Sequence, residues 1–174
     1  MSELKKLRTL TVAGMLTAVG IMTGFFKITF TDILEVRFMF LSLAAVGALF
    51  GPVVAAVSGA IIDVGSFLIR PTGTFFPGFT LSSALSGVIF GLCLHDKKGI
   101  SSGLFRVVAA VMLNTVIVNL LLNSLWLSML YGKGGLIAVM SARLIKEAIL
   151  IPINIILVIA VLKPMEIIQK RSAS

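Results

Sequence analysis

One cysteine, one histidine and seven acidic residues are all that this chain of 174 residues offers of those types, and only 13% of it is charged. Cys93, inside an apolar run, has no second cysteine with which to close an internal disulfide. His95 alone leaves too few soft ligands for a buried metal site. No Gly-x-x-x-x-Gly-Lys-Ser/Thr loop is present to hold and hydrolyse a nucleotide, and no His-Glu-x-x-His to build a metallopeptidase. A serine nucleophile would need a positioned base, and His95 falls in a polar turn away from the other polar residues of interest. No enzymatic activity, resident metal or cofactor is expected.

What is abundant is apolar surface. The chain is 58% hydrophobic with a mean hydropathy of +1.11, more than a soluble core of this size can bury. A net charge of +8 and a pI near 10.2 would suggest nucleic acid in a soluble protein. Here the basic residues sit mostly between apolar runs, where orientation in the bilayer accounts for them, so no nucleic-acid partner is expected. At about 20 apolar residues per span the chain has room for roughly six transmembrane helices. The expectation is an all-α integral membrane protein of the cell membrane, multi-pass, forming one compact bundle.

Helices are expected over roughly 9–28, 34–50, 52–69, 78–95, 104–131 and 142–163, within a single membrane domain spanning 1–174. Thr9 to Phe26 is uncharged and preceded by Lys5, Lys6 and Arg8, the pattern of a first transmembrane helix or of a signal peptide. The helix is the better reading, because Ala18-Val19-Gly20 is a weak cleavage site. Gly51-Pro52 divides an apolar run too long for one span. Pro71 to Gly78 is too rich in proline and glycine for a helix, so the fourth begins near Phe79. Pro152 should bend the sixth, and Lys163-Pro164 should close it. With the N-terminus cytoplasmic, nine of the fifteen cations fall inside and six outside, which favours both termini in the cytoplasm.

Ionisable groups at membrane depth are costly unless paired or facing a wet cavity, and those of this chain gather toward the outer side. Asp63 is the clearest, either a salt-bridge partner of Arg37 or Arg143 or a direct ligand contact. Arg143 and Glu147, four apart on the sixth helix, could pair with each other, and Lys146 could extend to the interface. On the fifth helix Asn119, Asn123 and Trp126 fall on one face at i, i+4 and i+7. Amides beside an indole suit a flat, polar heteroaromatic ligand, and they equally suit interhelical hydrogen bonding with an interfacial anchor. Phe75, Phe76, Phe79, Thr80 and Ser83 add aromatic faces and hydroxyls at the mouth of the fourth helix. On the first helix Gly14 and Ala18, with Ala13 and Thr17 beside them, make a small-residue face that permits close helix approach, to a partner or within the fold.

Six hydrophobic helices, the small-residue face, Phe75-Phe76-Pro77-Gly78-Phe79-Thr80-Leu81-Ser82, Gly87-x-x-x-Gly91, Asn123-Ser124-Leu125-Trp126 leading to Tyr131-Gly132-Lys133, and Ala142-Arg143-Leu144-Ile145-Lys146 form a recognisable set. On these the chain resembles, over essentially its whole length, the S components of energy-coupling factor (ECF) vitamin transporters, in particular their folate family. Gly14-x-x-x-Ala18 departs from the usual alanine-x-x-x-alanine but keeps both residues small. The resemblance implies a subunit that captures folate outside and delivers it through a transmembrane coupling subunit and two cytoplasmic ATPases. The outer groups read from the residues give the expected binding site, Arg37, Asp63, Arg70, Phe79, Thr80, Ser83, Asn119, Asn123, Trp126 and Arg143, and the resemblance implies that Ala13, Gly14, Thr17 and Ala18 face the partner. Cations near the mouth, Arg37, Arg70, Lys133 or Arg143, would suit the glutamate carboxylates of folate. An S component for riboflavin or thiamine, an ion-coupled carrier using Asp63, and a purely structural membrane subunit are the competing readings.

Overall fold

The computed structural model describes residues 2–24, 27–31, 34–69, 76–96, 99–100, 103–131 and 135–173. Among these residues six helices carry the chain: α1 (Ser2–Thr23), α2 (Met39–Phe50), α3 (Pro52–Ile69), α4 (Pro77–Leu94), α5, and α6 (Gly135–Ala173). The fifth, α5, is wound in three consecutive parts, Leu104–Leu113, Asn114–Leu122 and Asn123–Tyr131, the middle one a π-helix. Two short antiparallel hairpins cap opposite ends of the bundle: β1 (Lys27–Thr31) with β2 (Leu34–Arg37), and β3 (His95–Asp96) with β4 (Gly99–Ile100).

Apolar residues on nearly every side make α2 the central helix. Ser42 through Ala48 are all buried, as an all-round apolar helix requires. Its 12 residues rise only about 18 Å, short of a full bilayer core. Among the described residues four segments are long and apolar enough to cross a membrane, Pro52–Ile69, Pro77–Leu94, Leu104–Trp126 and Lys146–Ile167, while Thr9–Thr23 and Met39–Phe50 are shorter apolar helices.

Several sequence-based boundaries move. Helix 1 ends at Thr23 rather than 28, and residues 34–37, expected to open helix 2, instead pair as β2 with β1. β-branched Ile28, Thr29, Thr31 and Val36 favour that extended pairing, and helix 2 starts only at Met39. Helix 6 starts at Gly135 and runs unbroken through both Pro152 and Pro164, so Lys163-Pro164 does not end it. A single proline removes one ladder bond without ending a helix whose other turns are intact.

Glycine brings α3 and α4 into backbone contact. A Cβ on Gly59 would collide with the Ser83 carbonyl, and one on Gly87 with the Ala55 carbonyl. At the α2–α3 corner Gly51 adopts φ +85°, the left-handed region that lets the chain reverse into Pro52. The apolar core gathers toward the β3–β4 end, where Leu43, Ala48, Phe90, Leu94, Val107, Val111, Val158 and Leu162 are buried together. There the Nδ1 of His95 donates to the Ala48 carbonyl at 3.0 Å, and Arg106 pairs with Asp96 at 3.1 Å. That concentration leaves the polar side chains of α3 to α6 grouped toward the β1–β2 end.

Candidate substrate-binding site

Two polar groups and one aromatic cluster converge on the halves of α4 and α5 nearest the β1–β2 end. Between α3 and α4, the Thr80 hydroxyl donates to the Asp63 carboxylate at 2.7 Å. Such a bond offsets part of the cost of a carboxylate at membrane depth. Between α4 and α5, the Trp126 indole N–H donates to the Ser82 hydroxyl oxygen at 3.0 Å. An indole N–H in an apolar span must find an acceptor, and Ser82, itself 3% exposed, supplies it.

Phe76 completes the aromatic cluster. Its ring stands 5.5 Å from the Trp126 ring at 49° and 6.1 Å from Phe79 in an edge-on arrangement. Gly78 lies against both: a Cβ there would strike the Phe76 ring and come within 2.6 Å of Trp126 Cδ2. The Pro77-Gly78 pair thus starts α4 with proline at its first position while leaving room for the rings to close over the helix start.

The second polar group lies between α5 and α6. Asn123 Nδ2 donates to Asn119 Oδ1 and Asn119 Nδ2 to Glu147 Oε2, each at 3.4 Å. Arg143 Nη1 donates to the Asn119 carbonyl oxygen at 3.1 Å. That carbonyl belongs to the π segment, in which each N–H reaches five residues back, as that of Asn123 does to the Val118 carbonyl. The wider winding keeps Asn119 and Asn123 in contact while turning Trp126 toward α4 and Asn119 toward α6.

Of the site residues expected from sequence, the structure brings Asp63 and Thr80 together, joins Phe79 and Trp126 through Phe76, and gathers Asn119, Asn123 and Arg143. Ser83 is buried, its hydroxyl without a hydrogen-bond partner among the described residues; the neighbouring Ser82 is the one that meets the indole. Arg70 lies outside the described residues, as does the side chain of Arg37, whose backbone belongs to β2. Sequence reasoning left Ser82 and Glu147 out of the site. The need of Trp126 for an acceptor, and of a span carboxylate for a donor, were the signals for them. The small-residue face of α1 is divided. Ala13 and Thr17 are buried, with the Thr17 hydroxyl bonded to the Ala13 carbonyl at 2.7 Å, whereas Gly14 and Ala18 are exposed. Only the latter two can face a partner.

A bundle of apolar helices with an aromatic and amide site near one end, and no metal-binding cluster among the described residues, defines a membrane-embedded small-molecule binding subunit. Residues 8–162 match the family model described as ECF transporter, substrate-specific component, and the chain belongs to that family. It is 40% identical over 147 residues to the folate transporter FolT of Clostridium novyi (strain NT), covering 84% of this chain and 83% of that one. The folate transporter FolT of Leuconostoc mesenteroides subsp. mesenteroides is 36% identical over 132 residues, 72% of this chain and 69% of the relative. Among solved structures, a crystal structure of FolT bound with folic acid superposes with a TM-score of 0.76 at 35% identity, covering 87% of this chain and 90% of that one.

Proposed function

We propose that this protein is the folate-binding S component of an ATP-driven ECF uptake transporter. It captures folate from the extracellular side and hands it to a transmembrane coupling subunit and two cytoplasmic ATPases, which supply the hydrolysis. The observation that carries the reading is the aromatic and amide face where α4 meets α5, in a chain similar over most of its length to folate transporters. A pterin is flat and heteroaromatic, and an indole held in one orientation by Ser82 gives it a stacking surface. Asp63 and Thr80 lie on the α3–α4 side of that surface, and the asparagines on the α6 side, so polar edges have partners on both flanks. Of the cations expected from sequence to suit the glutamate carboxylates, Arg37, Arg70 and Lys133 keep that role here, whereas Arg143 is engaged with the Asn119 carbonyl beside Glu147.

Equilibrium binding to the purified protein in detergent, without any ATPase, tests the assignment. Folate should bind tightly and selectively over riboflavin and thiamine. Absence of folate binding in folded protein would overturn the proposal, and uptake by vesicles containing this chain alone would replace it with a self-sufficient carrier.

A further inference from the structure

The polar chain between α5 and α6 has a direction. A carboxylate only accepts hydrogen bonds, so the amide of Asn119 must present its NH2 to Glu147 and its oxygen to Asn123. Asn123 must then donate through Nδ2, which leaves its Oδ1 at the end of the chain. That oxygen is buried and has no hydrogen-bond partner among the described residues. Glu147 itself is 8% exposed, and the Asn119 contact engages its Oε2. One buried carboxylate therefore orders two amides and leaves a buried acceptor at the end of the chain. A buried acceptor without a donor is costly unless a ligand supplies one.

We propose that Glu147 is a ligand-binding residue that, with Asn123 Oδ1, selects a heterocycle edge carrying adjacent N–H donors, the chemistry of a 2-amino-4-oxopyrimidine ring. The inference rests on the folate reading and deepens it, since the pterin of folate carries that edge. A carboxylate meets a neighbouring ring N–H and amino N–H with its two oxygens, a pairing that riboflavin and thiamine do not offer in the same form. Arg143 and Lys146 flank Glu147 on α6, so the anionic site is embedded in compensating charge.

The test uses the full-length protein in detergent and reads binding through fluorescence of Trp126, the one tryptophan in the chain. Folic acid and its 2-desamino-2-methyl analogue are titrated into the natural protein and into Glu147→Gln, which keeps the size of the side chain but replaces an acceptor by a donor. The natural protein should prefer folic acid by about 100-fold or more, because a site built to bond an amino group rejects the analogue lacking it. Glu147→Gln should lose about 30-fold in folic acid affinity and less than about threefold for the analogue. Equal losses for both ligands would make Glu147 a structural strut, and no loss would remove it from the site. Either result overturns the inference while leaving the folate reading intact. If Glu147→Gln does not fold, the two ligands on the natural protein still decide, equal affinities overturning the inference. Failure of the natural protein to bind folic acid at all would overturn the folate reading, and this inference with it.

Discussion

At the residue scale, two glycines on α4 do different work with the same missing atom. Gly87 lets α3 and α4 touch through the Ala55 carbonyl, in the middle of the bundle, where nothing can move aside cheaply. Gly87→Ala should therefore cost about 1–3 kcal/mol of stability, as overpacking does elsewhere, and lower the melting temperature in detergent. Gly78 instead meets side-chain rings, Phe76 and Trp126, at the helix start. Those rings can swing outward, so Gly78→Ala should leave melting within a few degrees of the natural protein and act on the site instead. Folate affinity should fall about tenfold, equivalent to about 1.4 kcal/mol, with a shift in Trp126 emission as the indole leaves Ser82. A large melting shift without loss of affinity would show the aromatic cluster to be structural only.

At the scale of elements, the core of each helix was legible in the sequence and the ends were not. Apolar runs broken at Gly51-Pro52 and before Pro77 identify α3 and α4 almost to the residue, because proline and glycine act locally. The β1–β2 hairpin was hidden because its strands are short and its pairing is non-local, and α6 runs past Pro164 because the turns on either side hold it. The π winding of Asn114–Leu122 has no sequence signature either, and it redirects Asn119 to α6, whereas an ordinary α-helix would place Asn119, Asn123 and Trp126 on one face. His95, set aside as chemically isolated, ties the end of α4 to the Ala48 carbonyl in the last turn of α2. Helix ends leave four carbonyls unsatisfied, and this bond fills one. His95→Ala should cost about 1 kcal/mol in thermal or denaturant unfolding. His95→Gln, which can still donate, should recover part of that loss, and folate binding at the other end of the bundle should be unchanged by both.

At the scale of the whole molecule, the two ends of the bundle are separated by composition, polar and aromatic toward β1–β2, apolar toward β3–β4. The outward face of α1 belongs to neither end. Leu10, Gly14, Ala18 and Met22 recur every four residues and are all exposed, and a Cβ on Gly14 would meet no atom within 4 Å. Sequence alone grouped Gly14 and Ala18 with Ala13 and Thr17, since a small residue looks the same whether it admits a neighbour from inside the bundle or from outside. Burial separates them: Ala13 and Thr17 serve the fold, and Gly14 with Ala18 form a shallow stripe between larger side chains at which another helix could approach closely. Gly14→Leu fills that stripe without touching the interior, so melting temperature and folate affinity should stay at natural values. ATP-driven folate uptake by vesicles containing the complete transporter should fall at least about tenfold, the effect of obstructing a close helix contact. Thr17→Leu gives the contrast, because its bulk points into the bundle: it should lower melting temperature and binding together. Loss of binding together with uptake in Gly14→Leu would mean that this face serves the internal fold, and full uptake by it would mean that the exposed face of α1 meets lipid.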